Sequence, residues 1–320
     1  MKRRQFIQTT LSTAALFGCF PATLTAIERQ TSTGNIERRS LGRTGEKLSI
    51  IGFGGLALKG STPKEAARLV RQAYEAGVNY FDVAPSYGDA EERLGPALAP
   101  FREGVFLACK TGQRRRAGAA GALDGSLKRL RTDHVDLYQL HAMTKLDEVE
   151  TVLSEDGALR AFEDAKKAGK VRFIGFSAHS VEAAMALMDR YPFDTILFPV
   201  NYATWTAGHF GPQVLARAHE KRIGILAIKA MAKGRWPAGA DRSAYPNCWY
   251  QPFSDPGEAF LALRFTLSHP VTAAVHPADP KCLQMALRLA PKFTPLKPEE
   301  AEALKRQAMK VGLLFKYPQA

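Results

Sequence analysis

The chain has 320 residues, 46% of them hydrophobic and 23% charged, with 44 Lys and Arg against 31 Asp and Glu, a net charge of +13. That length exceeds a disulfide-stapled small domain, and the composition is that of a globular protein rather than a disordered or fibrous one. The four cysteines, Cys19, Cys109, Cys248 and Cys282, include no C-x-x-C pair, which argues against a zinc ribbon or a cysteine-ligated iron–sulfur cluster.

An excess of positive charge invites nucleic acid or an anionic membrane surface as partner, so its location matters. Residues 1–26 hold Lys2, Arg3 and Arg4 and no acid, which leaves +10 for the rest of the chain. This basic start, a mildly apolar stretch at 9–20 and small residues beyond it have the layout of a signal peptide. Arg3-Arg4-Gln5-Phe6, followed by Thr9, Thr10 and Ser12, resembles a twin-arginine (Tat) signal; an ordinary Sec signal is the alternative. Leu24-Thr25-Ala26 resembles an A-x-A cleavage site, and Leu16-Phe17-Gly18-Cys19 a lipoprotein box that would place a lipid anchor on Cys19. No apolar run reaches the roughly 18–20 residues of a membrane-spanning helix. The expectation is a periplasmic protein that meets the Tat translocon during export and has no stable membrane span.

A polar linker at 27–35 leads into a single domain, 36–320. The segment 37–47, with turn signals at Gly42 and Gly45, predicts a hairpin that plugs the bottom of a barrel. Apolar, β-branched or aromatic runs follow at 48–53, 78–83, 105–109, 135–140, 171–176, 195–200, 223–228 and 271–275. Helical patterns lie between them at 63–76, 123–131, 158–168, 181–190, 213–221, 256–268 and 280–289. Strands apolar on both faces that alternate with helices make a parallel sheet, and eight such units predict an α/β fold of the (β/α)8 TIM-barrel type. A doubly wound sheet would carry G-x-G-x-x-G after its first strand, which Gly52-Phe53-Gly54-Gly55 does not match. An extra C-terminal helix is expected at 298–313.

Barrel enzymes place their chemistry at the C-terminal strand ends. The predicted strands close on Asp82, Lys110, His141, Ser177, Asn201 and Lys229, with Tyr87 in the loop after Asp82. Taken singly, a lysine at a strand end is an ordinary solvated residue and a histidine an ordinary core one; their convergence at one mouth is the signal. Metal hydrolysis would want H-x-H or H-E-x-x-H, which is absent, and no metal is expected. Paired carboxylates are not evident, since Asp82 is the one acid at a strand end. A Schiff base on Lys110 remains an alternative. Proton transfer to a carbonyl fits the set better. An ammonium beside Tyr87 would lower its pKa, Asp82 would hold Lys110, and His141 would orient the carbonyl oxygen.

Longer motifs point the same way. They are Asn79-Tyr80-Phe81-Asp82-Val83-Ala84-Pro85-Ser86-Tyr87-Gly88 with Gly95 beyond it, Cys109-Lys110-Thr111, Asp136-Leu137-Tyr138-Gln139-Leu140-His141, and Arg172-Phe173-Ile174-Gly175-Phe176-Ser177. Over roughly residues 36–290 the chain resembles the aldo-keto reductase family. The resemblance implies a (β/α)8 barrel that binds NADP(H), or alternatively NAD(H), without a Rossmann domain. It implies reduction of a small aldehyde or ketone to an alcohol by hydride transfer, with Tyr87 as acid beside Asp82, Lys110 and His141. It places Ser177 and Asn201 on the nicotinamide amide, with Ala178 where the family has Asn. Ile228 stands in place of a stacking aromatic, and Lys229 and Lys281 are the basic residues near the phosphates. Tyr202 and Trp205 on one mouth loop, with Trp236 and Trp249 on the next, suggest an apolar substrate pocket; lid packing is the other reading. Cys248 and Cys282 are candidates for a disulfide after export. A cofactor-binding sensor or accessory module is the alternative function, motivated by Ala178 and Ile228. Nucleic-acid binding is not expected, because Arg114-Arg115-Arg116 has no accompanying aromatic run.

Overall fold

The computed structural model of the chain describes residues 35–318. The signal, cleavage and lipid-anchor readings of residues 1–26 therefore lie outside the described residues. β1 (Arg38–Ser40) and β2 (Lys47–Ser49) form an antiparallel hairpin. The next strands are β3 (Ile51–Gly54), β4 (Tyr80–Asp82), β5 (Phe106–Thr111), β6 (Val135–Met143), β7 (Val171–Ala178), β8 (Thr195–Pro199) and β9 (Gly224–Ile228). β10 (Ala232–Gly234) and β11 (Gln251–Pro252) pair as a second small hairpin, and β12 (Ala273–Val275) follows. The parallel strands close in the order β12-β3-β4-β5-β6-β7-β8-β9, which is a (β/α)8 barrel.

Its helices are α1 (Pro63–Glu75), α2 (Ala90–Leu98), α3 (Arg116–Leu130), α4 (Leu146–Leu153), α5 (Ala158–Lys167), α6 (Val181–Arg190), α7 (Tyr202–Thr206), α8 (Pro212–Glu220), α9 (Pro256–Leu267), α10 (Pro280–Leu289) and α11 (Pro298–Ala308). Local sequence explains their ends. Thr62 and Glu65 make a reciprocal capping box before α1, with Pro63 in its first turn. Ser180, Asp255 and Asp279 cap α6, α9 and α10 by accepting from backbone N–H groups of the first turn. Gly77 and Gly169 stop α1 and α5 at φ values of 106° and 75°, which side chains avoid.

Several elements differ from the sequence expectation. The run 48–53 is split, because Ser49 accepts no further ladder role: its N–H donates to Asn79 Oδ1 at 2.7 Å and its hydroxyl to the Ile51 carbonyl at 2.7 Å. Lys47–Ser49 therefore joins the hairpin while Ile51–Gly54 enters the barrel. α2 carries Gly95-Pro96 in its interior, a pair that ordinarily breaks a helix. A side chain at Gly95 would come within 2.6 Å of the Arg129 carbonyl, so the glycine lets α2 lie directly on the end of α3. α3 starts earlier than the periodicity suggests, since Gly118, Gly121 and Gly125 dilute it. The last helix ends at Ala308, and residues 309–318 cross the mouth side of the barrel instead. There Phe315 stacks on Phe210 and His179, and the Tyr317 N–H donates to the Gly208 carbonyl at 2.7 Å.

The hairpin seals the opposite end. Leu41 and Leu48 are fully buried and pack with Tyr80, Phe106, Leu137 and Leu226 from the barrel interior. The seal depends on close backbone approach: Gly42 has φ 51°, and a side chain there would lie 2.4 Å from the Gly224 nitrogen. Gly42→Ala is thus expected to lower the unfolding midpoint in urea, by about 1–3 kcal/mol of stability; an unchanged midpoint would mean that the plug does not bear on the barrel.

Candidate active site

The mouth residues are set by strand register. In β4, β5 and β6, Asp82 stands opposite Ala108 and Lys110 opposite Gln139. Lys110 is fully buried, and its ammonium is paired with Asp82, itself 3% exposed. The other carboxylate oxygen of Asp82 accepts from Tyr80 Oη at 3.1 Å and Gln139 Nε2 at 3.3 Å. Lys110 Nζ also donates to the Val83 carbonyl and to Tyr87 Oη, both at 3.3 Å. Burial opposes the charge on Lys110, but Asp82 and the Tyr87 oxygen outweigh it and hold the ammonium above its usual pKa.

The phenol of Tyr87 was expected to be acidified by this ammonium. The structure gives the opposite net direction: burial raises its pKa above 10 and exceeds the lowering by Lys110. Tyr87 is a protonated phenol at rest.

His141 reaches the same point through an irregularity. The β6–β7 ladder shifts between Leu140 and Met143, and Ala142 takes φ 53°. Both sides of this bulge are clamped. The Ala142 N–H donates to Ser177 Oγ at 2.7 Å, and Arg114 donates to the His141 carbonyl at 2.8 Å while Glu148 holds its guanidinium at 2.9 Å. The imidazole then meets the Tyr87 ring edge to face, with centroids 5.8 Å apart. Burial, then Lys110, pushes its pKa down to about 3, so it is neutral.

Tyr87 and Asp82 line a small pocket of about 70 Å3, partly open to solvent, together with Leu56, Ile228, Lys229 and Trp249. Trp249 is 51% exposed on its rim. Ile228 and Gly54 give it apolar walls, and a side chain at Gly54 would press within 3.0 Å of Val275 and the His276 carbonyl. Ser177 does not line this pocket; its hydroxyl accepts from Ala142 and has no acceptor for its own proton among the described residues. The apolar walls fit the nicotinamide end of a dinucleotide.

Other expected site residues sit elsewhere. Tyr202 is fully buried in the core beside Phe253, so it cannot touch a substrate. Trp205 packs on His269 and Phe265 toward α9, on the outer side. Trp236 braces the following loop by donating to the Cys248 carbonyl at 2.9 Å. The Asn201 amide is saturated internally: it accepts from Ala203 and Thr204 and donates to the Lys229 and Ala232 carbonyls. Lys281 is exposed and donates to the Ala244 carbonyl at 3.0 Å, holding a loop rather than facing the pocket. Cys109, Cys248 and Cys282 are buried free thiols in this structure, and Cys248 and Cys282 lie in hydrogen-bonding contact with each other.

Tyr250, on the same mouth loop as Trp249, lines the pocket as an aromatic of that loop should; His276, which also lines it, and Phe315 of the tail carry no sequence signal for their positions. His276 Nε2 accepts from the Gly54 N–H at 3.0 Å and Nδ1 faces the Pro277 carbonyl at 2.6 Å, so the ring bolts β12 to β3 as a neutral tautomer. His-Pro after a strand carries no motif that would have announced this.

Comparison with known proteins agrees with the geometry. The profile described as Aldo/keto reductase family matches residues 50–252. The chain belongs to the aldo/keto reductase family. L-galactose dehydrogenase of Arabidopsis thaliana is 30% identical over 221 residues, covering 62% of this chain and 66% of that relative's length. Among solved structures, the holo form of an aldo-keto reductase from Bacillus halodurans aligns with a TM-score of 0.68 at 24% identity, over 89% of this chain and 99% of that one. An aldo-keto reductase from Klebsiella pneumoniae in complex with NADPH aligns with a TM-score of 0.66 at 22% identity, over 85% and 94%. At these identities the two structures speak for the shared fold.

The buried histidines set a pH dependence. His276 is 5% exposed, and burial pushes its pKa down from 6.5 to about 4. The unfolded chain therefore takes up this proton first, so the stability is complete above pH 6.5 and is lost as pH falls toward 4, by about 1.4 kcal/mol per pH unit for such a group. Urea unfolding between pH 7.5 and 5.5 should show a shallower decline for His276→Gln than for the unaltered chain; equal slopes would contradict the assignment.

Proposed function

We propose that the protein is an NAD(P)H-dependent reductase of small aldehydes or ketones, with Tyr87 as the proton donor. The observation that carries this reading is a phenol hydroxyl 3.3 Å from a buried ammonium that is itself paired with Asp82, at the edge of a pocket. When bound, the nicotinamide would supply a hydride to the carbonyl carbon; Ile228, which lines the pocket, would wall its ring, and Ser177 is the residue that the family resemblance gives to its amide. NADPH is the form present in the Klebsiella pneumoniae neighbour.

The chain's own part is the proton. A carbonyl oxygen between Tyr87 Oη and the His141 ring accepts a hydrogen bond from the phenol, and neutral His141 orients it without competing as an acid. As charge develops on that oxygen, the phenol proton moves to it, and the phenolate left behind is stabilised by Lys110 at 3.3 Å. Asp82 keeps Lys110 fixed and charged throughout. The donor is restored from solvent through the open side of the pocket.

Tyr87→Phe should lower turnover of a reactive aldehyde at least about 100-fold, the scale of lost general acid catalysis. NADPH binding, followed by fluorescence, should be nearly intact. Turnover within a few fold of the parent would remove Tyr87 from the proposed role.

We further propose export through the Tat route, on the strength of Arg3-Arg4-Gln5-Phe6 and the stretch after it. Replacing both arginines by lysine should retain the protein in the cytoplasm when periplasmic and cytoplasmic fractions are blotted. Unaltered periplasmic recovery would point to the Sec route, and recovery of both forms in the cytoplasm would refute export.

A further inference from the structure

Residues 236–250 connect β10 to β11 with neither helix nor strand, and most of them are exposed. The backbone hydrogen bonds of this loop are local: Ala240, Tyr245 and Cys248 donate to the carbonyls of Pro237, Arg242 and Tyr245 at 3.2, 2.9 and 3.0 Å. Long side chains tie it to the barrel. Asn247 Nδ2 donates to the Lys59 carbonyl at 3.3 Å, and Lys281 Nζ to the Ala244 carbonyl at 3.0 Å. Cys248 sits between Asn247 and Trp249, both of which line the pocket. Its thiol is in hydrogen-bonding contact with that of Cys282, in the first turn of α10. The Ala278 N–H also donates to the Cys248 sulfur. α10 is firmly seated, burying Leu283, Met285 and Ala286. Neither thiol has a part in the proton transfer proposed above. Cys109 differs from both, since its thiol donates to buried Glu91 at 3.3 Å inside the barrel wall.

Two thiols in contact, one on a lightly tied loop and one on a seated helix, can exchange with a disulfide. We propose that Cys248 and Cys282 are a dithiol–disulfide site, closed by exchange with a disulfide-bearing oxidant, whose closure fastens the pocket's loop to α10. This is independent of the reductase reading. Cys248 is the attacking thiol. Donation from the Cys282 thiol lowers its pKa, with the Ala278 N–H and Lys229 adding to this, while the same contact and burial raise that of Cys282. The Cys248 thiolate attacks one sulfur of the oxidant, and the thiolate released takes up the proton. Cys282 then gives up its proton, attacks the Cys248 sulfur of the mixed disulfide and expels the second thiolate, which is protonated in turn. Two protein thiols are oxidised and one disulfide is reduced to two thiols. The sulfurs must close to about 2 Å, a movement the exposed loop can supply while the helix stays in place. Both thiols are buried, so local opening of the loop is what admits the oxidant, and closure of the disulfide suppresses that opening.

The test exposes the full chain, reduced with dithiothreitol and then freed of it, to glutathione disulfide without denaturant. The intact mass should fall by two hydrogens, and a non-reducing peptide map should join Cys248 to Cys282. Cys282→Ser should stop at a glutathione adduct on Cys248, and equal melting temperatures verify that the variant is folded. Hydrogen exchange of amides 243–250 should slow about tenfold on oxidation, as expected when a local opening is blocked, and recover when dithiothreitol is returned. The same amides in Cys282→Ser should not slow. The proposal is overturned if the native chain forms no bond between Cys248 and Cys282, or if the bond formed runs through Cys19 or Cys109. A bond between Cys248 and Cys282 that leaves the loop's exchange unchanged overturns it as well.

Discussion

The pairing of Lys110 with Asp82 inside the barrel is the constraint on which the mouth is organised. Removing two charges from water costs several kcal/mol each, and their attraction offsets this only when the remaining hydrogen-bonding capacity is also met. Here it is met from neighbouring strands. Tyr80, two residues before Asp82 in β4, and Gln139 in β6 both donate to its second oxygen, while the Val83 carbonyl takes a further contact from the ammonium. Such an arrangement tolerates no slip in register, since a shift of one residue would turn every side chain to the other face of the sheet. A buried ion pair is weak support for stability, so its presence is better explained by what it does for the hydroxyl of Tyr87.

The remaining mouth residues are fixed from the outside inward. His141 points at Tyr87 because β6 bulges there, and the bulge is held by a guanidinium on one side and a serine hydroxyl on the other. Arg114 thus acts on the site through the backbone, and Ser177 acts on the bulge in the same way. His276 performs a matching task across the barrel by joining β12 to β3 next to Gly54. The loop carrying Trp249 and Tyr250 is tied down by Trp236, by Lys281 and by the tail through Arg235, which donates to the Leu313 carbonyl at 2.7 Å.

What could be read from sequence follows a physical line. Strand alternation, capping residues and the polar groups closing each strand are local signals, and they led to the barrel and to Asp82, Tyr87, Lys110 and His141 as neighbours. The aromatic residues of the mouth loops were not legible in the same way. Tyr202 and Trp205 lie within about one helical turn of Asn201, and whether such a ring turns into the pocket or into the core depends on the helix that follows. The saturated amide of Asn201 caps that helix, so Tyr202 is directed into the core and Trp205 outward. The path of residues 309–318 has no periodicity at all; it is specified by Phe315 meeting Phe210 and His179, contacts that span the chain.

The direction of the Tyr87 pKa refines how the proposed proton transfer works. An ammonium next to a phenol would, in water, chiefly make it a stronger acid. In this mouth the same burial that brings Lys110 close also penalises a phenolate, and burial is the larger effect before any substrate is present. The proton is therefore retained at rest, and His141, neutral and adjacent, has no tendency to supply it instead. The stabilising influence of Lys110 becomes decisive only when an oxygen beside Tyr87 gains electron density and can accept the proton. A low-dielectric setting makes that influence stronger than it would be in water. Burial thus opposes early ionisation and reinforces late stabilisation, so the acid is spent on an oxygen that is already becoming an alkoxide.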